Sequence, residues 1–130
     1  MQKILNGIDL VDFNRIDQML EKHGERFLNR IFTDKELQYA QNVKNNIEKL
    51  SGRFACKEAV LKMLGTGWRG KIAWTDIEIT NNSLGRPQVN LTGEVQKIAK
   101  QIKIKQITIS ITHTSNFAIA SAVALADKDE

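Results

Sequence analysis

The chain has 130 residues, a length that suits one domain with a buried core. Hydrophobic residues make up 42% and charged residues 26%, proportions ordinary for a soluble globular protein. A net charge of +4 suits an acidic or phosphate-bearing partner and equally a plain basic surface, while the single cysteine excludes both an intrachain disulfide and a thiolate metal cluster.

Residues 4–11 read as a strand whose two faces are both mainly apolar, which predicts that it is buried. Asp9 shares one face with Leu5, Gly7 and Val11. Residues 13–31 have a helical pattern with a break or bend at Gly24. If that helix ran straight, Arg15, Lys22, Arg26 and Arg30 would form a basic stripe around Met19, suited to an acidic amphipathic helix. Thr33-Asp34-Lys35-Glu36 has capping-box spacing and opens a short helix through Ala40. A longer helix covers residues 46–64 and stops at Gly65-Thr66-Gly67.

The second half changes character. Residues 72–80 alternate as a strand, residues 81–87 are dense in turn formers, and residues 88–91 return as a strand. Thr92 can cap a helix running to about residue 103. Two final strands, 106–113 and 117–125, are joined by a tight turn at Ser115-Asn116. The order predicts a single α+β domain over residues 1–130, mainly antiparallel sheet packed with helices. No signal-peptide run, membrane-length apolar segment, recognition helix or aromatic-rich sheet face is visible. A cytoplasmic location without membrane or nucleic-acid partners is therefore expected.

The chemistry concentrates in residues 53–62. On a helical wheel of about 100° per residue, Glu58 and Lys62 lie roughly 40° apart among Phe54, Ala55, Cys56, Ala59, Val60 and Leu61. A carboxylate so placed needs a cation, either Lys62 or a metal ion. Asp9 is a second carboxylate on a strand expected to be buried. Two such groups without a cysteine or histidine cluster suit an oxygen-rich Mg2+ site kept open for phosphate and water. His113 ends the apolar face of Ile107, Ile109 and Ile111, and Thr112, Thr114 and Ser115 surround it with hydroxyls. Gly65-Thr66-Gly67 and Gly85-Arg86-Pro87 could let a ligand approach backbone, though neither is a P-loop or a dinucleotide fingerprint.

Gly7-Ile8-Asp9-Leu10-Val11, residues 53–59, Gly65-Thr66-Gly67 and Ser110-Ile111-Thr112-His113-Thr114 occur in one order and spacing. Together they resemble the holo-[acyl-carrier-protein] synthase family of small 4'-phosphopantetheinyl transferases, over nearly the whole chain. Leu5 stands where that family often has glycine, which leaves Asp9 in place. The resemblance implies a fatty-acid-biosynthesis enzyme that transfers 4'-phosphopantetheine from coenzyme A to a serine of an acidic, helical apo-acyl carrier protein. It implies Mg2+ held by Asp9 and Glu58, and a homotrimer in which each coenzyme A touches two chains.

Arg15, Lys22 and Arg26 then become the residues that dock the carrier protein. Glu58, Lys62 and His113 become candidate catalytic residues, Lys62 serving the departing phosphate more than Glu58. The coenzyme A contacts are expected at Arg53, Lys62, Gly65, Gly67, Gly85, Arg86, Pro87, His113 and Thr114. A rival reading is a non-catalytic nucleotide- or acidic-protein-binding module of the same fold. In it, Glu58–Lys62 is a plain ion pair worth about 0.2–0.5 kcal/mol.

Overall fold

A computed structural model describes residues 1–41, 46–66 and 70–128. The elements run β1 (Gln2–Asp12), α1 (Phe13–His23), α2 (Glu25–Ile31), α3 (Asp34–Gln41), α4 (Asn46–Leu64), β2 (Ile77–Asn81), β3 (Pro87–Leu91), α5 (Gly93–Gln101), β4 (Ile104–His113) and β5 (Phe117–Asp127). β1, β5 and β4 form an antiparallel sheet in that order, and β2 pairs with β3 as a separate antiparallel hairpin. The expected α+β class with antiparallel pairing is what the chain adopts.

Helix α4 is the axis of the core. Nearly all of its side chains from Leu50 to Leu64 are buried, with Glu58 half-buried and Lys62 exposed. It can lie close to the sheet because β5 offers it a row of small residues, Ala118, Ala120, Ala122 and Ala124, all buried. Register places Asp9 opposite Ala120 and Gly7 opposite Ala122, so both belong to the face under α4.

Local chemistry sets the helix ends. Gly24, at φ 53, splits the first helical segment in two, as its sequence position suggests. The capping box forms at α3: the Thr33 backbone N–H donates to Glu36 Oε1 at 2.9 Å, and the Glu36 N–H donates to Thr33 Oγ1 at 3.3 Å. Gly65, at φ 75, ends α4 by donating to the Leu61 and Lys62 carbonyls.

Three expectations are corrected. The strand expected over 72–80 begins only at Ile77. Before it lies a 3-10 turn, Trp74–Asp76, held by Asp76 N–H to the Ala73 carbonyl and Ala73 N–H to the Asp76 carboxylate. Helix α5 ends at Gln101 and not at residue 103, where Lys103 takes φ 63. Thr92 is its N-cap, without a side-chain hydrogen bond. β1, finally, is buried on one face only: Ile4, Ile8 and Leu10 are 70%, 63% and 55% exposed. Their partners Leu125, Ser121 and Ile119 share that outer face, where Val123 is also exposed.

Among the described residues, no helix is long and apolar enough to cross a membrane.

Candidate active site

Asp9 and Glu58 meet where β1 passes under α4. Asp9 is 9% exposed, and the Glu58 side chain is 20% exposed. Among the described residues, Asp9 Oδ2 and Glu58 Oε1 are buried without a hydrogen-bond partner. Burial, and then the adjacent Asp9 charge, push the Glu58 carboxyl above its ordinary range, with Arg15 and Lys62 opposing the shift. Two carboxylates turned together, each with an oxygen left over, form an all-oxygen donor set that fits a hard divalent cation such as Mg2+.

Two cations flank the pair. Lys62 Nζ donates to Asp9 Oδ1 at 2.8 Å and to the Ile8 carbonyl at 3.1 Å, and this hydrogen bond and charge raise the Lys62 pKa. Its side chain remains 57% exposed, so it can reach outward. Arg15 Nη1 lies 3.4 Å from Glu58 Oε1, an ionic contact without hydrogen-bond geometry, and its guanidinium sits 5.1 Å from the Phe54 ring centroid. Lys62 therefore partners Asp9, and the premise of the plain Glu58–Lys62 ion pair does not hold.

The other expected residues fall into separate places. His113 continues the face of Ile109 and Ile111 as expected, and its Nε2 pairs with the Glu48 carboxylate. Glu48 precedes Glu58 by ten residues of α4, about 15 Å of helix. One chain thus keeps His113 apart from the Asp9–Glu58 pair. The Thr114 hydroxyl oxygen accepts from the Asn116 and Phe117 N–H groups, tying the β4–β5 turn.

Arg53 is buried on the far side of α4. Its guanidinium donates to Asn81 Oδ1 at 2.5 Å and stacks 4.0 Å from the Tyr39 centroid, and burial lowers its pKa. Asn81 Nδ2 in turn donates to the Gly85 carbonyl at 2.9 Å. Arg53 therefore braces the β2–β3 turn that carries Gly85, at φ 84, Arg86 and Pro87. Gly65 caps α4, one turn beyond Lys62; Gly67 lies outside the described residues. Cys56 is inert, its thiol pushed up to about 12 by burial.

The break at Gly24 reshapes the basic stripe into a groove of about 380 Å³, lined by residues of both α1 and α2. Arg15, Arg26 and Arg30 supply charge, while Met19, Phe27 and Trp74 supply apolar wall. Lys22 is exposed on the last turn of α1 and does not line the groove. Arg15 belongs to both places, touching Glu58 and lining the groove.

Sequence reasoning missed the partner of Lys57. Its Nζ is fully buried and donates to Glu36 Oε1 and the Ile31 carbonyl, each at 2.7 Å, and to the Trp74 carbonyl at 3.2 Å. Glu36 Oε2 also accepts the Ile79 N–H at 3.1 Å. The capping box singles out Glu36, but nothing local signals that it receives an ammonium from α4.

Comparisons with known proteins identify the family. A family model of the 4'-phosphopantetheinyl transferase superfamily matches residues 6–122. The chain is 45% identical over 117 residues to a holo-[acyl-carrier-protein] synthase of Halothermothrix orenii, covering 90% of this chain and 93% of that protein. The crystal structure of the Neisseria meningitidis holo-[acyl-carrier-protein] synthase matches with a TM-score of 0.85 at 31% identity, over 92% of this chain and 96% of that one. The Helicobacter pylori synthase in complex with coenzyme A matches with a TM-score of 0.81 at 28% identity, over 92% and 99%. The chain belongs to the 4'-phosphopantetheinyl transferase superfamily and, within it, to the holo-[acyl-carrier-protein] synthases.

Proposed function

We propose that the chain transfers 4'-phosphopantetheine from coenzyme A to a serine hydroxyl of an apo-acyl carrier protein, in a Mg2+-dependent reaction of cytoplasmic fatty acid biosynthesis. The observation that carries this reading is the Asp9–Glu58 pair with its two orphaned oxygens, in a chain of this family. Bound there, Mg2+ would neutralise phosphoryl charge and orient an in-line displacement.

The chain's own residues supply the rest. Asp9 and Glu58 hold the cation. The serine proton passes to Glu58 or to a water at the site. The serine oxygen bonds to the pantetheine-side phosphorus as the pyrophosphate P–O bond breaks, releasing adenosine 3',5'-bisphosphate. The exposed Lys62 ammonium reaches that leaving phosphate. His113, Thr114, Gly65 and Gly67, with the Gly85-Arg86-Pro87 turn that Arg53 braces through Asn81, complete the coenzyme A contacts.

The separation of His113 from the carboxylate pair supports a site shared between chains. We assign a homotrimer, packed through the exposed face of Ile4, Ile8, Leu10 and Val123. The carrier protein's acidic helix docks on the groove through Arg15, Arg26 and Arg30, with the exposed Lys22 adding positive charge on the last turn of α1. Mass spectrometry of an apo carrier protein incubated with coenzyme A, Mg2+ and the chain tests the function. A phosphopantetheine mass gain that chelation abolishes is expected; an unchanged carrier mass would refute the reading.

A further inference from the structure

We propose that Gly7 is a positioning residue that sets the spacing between the Asp9 and Glu58 carboxylates, and with it the affinity for the divalent cation. The inference rests on the metal reading above and adds a residue that touches neither metal nor substrate.

At Gly7, β1 passes too close to α4 to leave room for a side chain. A Cβ placed on it would run into the Ala59 carbonyl oxygen, would lie 2.6 Å from the Met63 amide nitrogen and would lie 3.1 Å from Lys62 Cβ. Its φ is not among the positive ones, so glycine is required here for room and not for backbone conformation. The atoms it meets first are helix backbone, which cannot rotate away as a side chain would. Gly52 is a useful contrast on the same helix: a Cβ there would meet only Ile111 Cγ2, at 3.0 Å.

The contact sits beside the site. Asp9 follows Gly7 by two residues on the same face, about 7 Å along the strand. Ala59 directly follows Glu58, and Lys62 is the residue that holds Asp9. One methyl group at position 7 would drive strand and helix apart by roughly 1 Å to reach ordinary contact. Asp9 would move with the strand while Glu58 stayed on the helix. Mg2+ accepts little such error, because it demands near-octahedral oxygens at about 2.0–2.1 Å.

The test is direct binding of Mn2+, followed by electron paramagnetic resonance with coenzyme A present and no carrier protein. Gly7→Ala is expected to weaken binding by roughly tenfold or more, and Gly52→Ala to leave it at the wild-type value. Adding Asp9→Glu to Gly7→Ala, one methylene longer across the wider gap, should restore part of the loss. Wild-type affinity in Gly7→Ala, or an equal loss in Gly52→Ala, would overturn the positioning role. Absence of Mn2+ binding in the wild type would instead overturn the metal reading, and this inference with it. If circular dichroism shows Gly7→Ala unfolded, Asp9→Glu alone decides. A fixed gap without slack requires weaker binding in that variant, and unchanged binding would refute it.

Discussion

Lys57 and Glu58 are neighbours on α4, yet the fold treats their charges in opposite ways. Lys57 is fully buried, and its ammonium has three acceptors: Glu36, the Ile31 carbonyl and the Trp74 carbonyl. Glu58 faces Asp9, a like charge, and keeps an oxygen without a hydrogen bond. The first arrangement ties α2, α3, α4 and the turn before β2 together. The second costs folding free energy and persists as a place for something cationic. On one helix, a fully hydrogen-bonded charge builds the fold, and a carboxyl short of hydrogen bonds marks the site.

The sharpest way to break this contrast is to remove each charge in turn. Asp9→Ala and Glu58→Ala should each lower transfer by at least roughly a hundredfold while the fold persists, as read by the carrier mass assay and circular dichroism. Lys57→Met should do the reverse kind of damage. It strands a buried Glu36 and should cost about 3–5 kcal/mol in urea unfolding. Similar stability losses at Glu58 and Lys57 would erase the distinction.

The outer face of the sheet supplies a second contrast with the face under α4. Ile8→Glu puts a charge on a surface proposed to be shared between copies, and should give a folded monomer with no transfer activity by light scattering and assay. Arg15→Glu should act more narrowly, raising the KM for carrier protein by roughly tenfold, equivalent to about 1.4 kcal/mol, with little change for coenzyme A.

The smallest effect is on pH dependence. Glu58 has a raised pKa in the folded state, so folding is relatively favoured while the group is protonated. That stability is fully present below the unfolded pKa near 4.5 and is lost as pH rises through the higher folded value. In chelator, denaturant unfolding should show this decline for the wild type and not for Glu58→Gln.

Much of this was legible in the sequence. The bounds of α4 followed from apolar residues on almost every side of the helix and a glycine to stop it. The α3 cap followed from four residues. What failed was information held by contacts remote in sequence. β1 is apolar on both faces, but periodicity cannot say that the chain covers only one. Helical spacing offered Lys62 to Glu58, whereas the strand brought Asp9 within 2.8 Å of it. The stretch before β2 alternates like a strand until the Asp76 side chain competes for backbone and folds it into a 3-10 turn. The carboxylates themselves stood out in the sequence, because Glu58 on a mostly apolar helix needed a cation, with Lys62 and a metal ion both open.

The central claim is that Asp9 and Glu58 form one cation site, and calorimetric titration of Mg2+ in the presence of coenzyme A tests it most directly. The wild type should show saturable binding that both Asp9→Asn and Glu58→Gln abolish, with the proteins still folded. Equal Mg2+ binding in either variant would contradict the account.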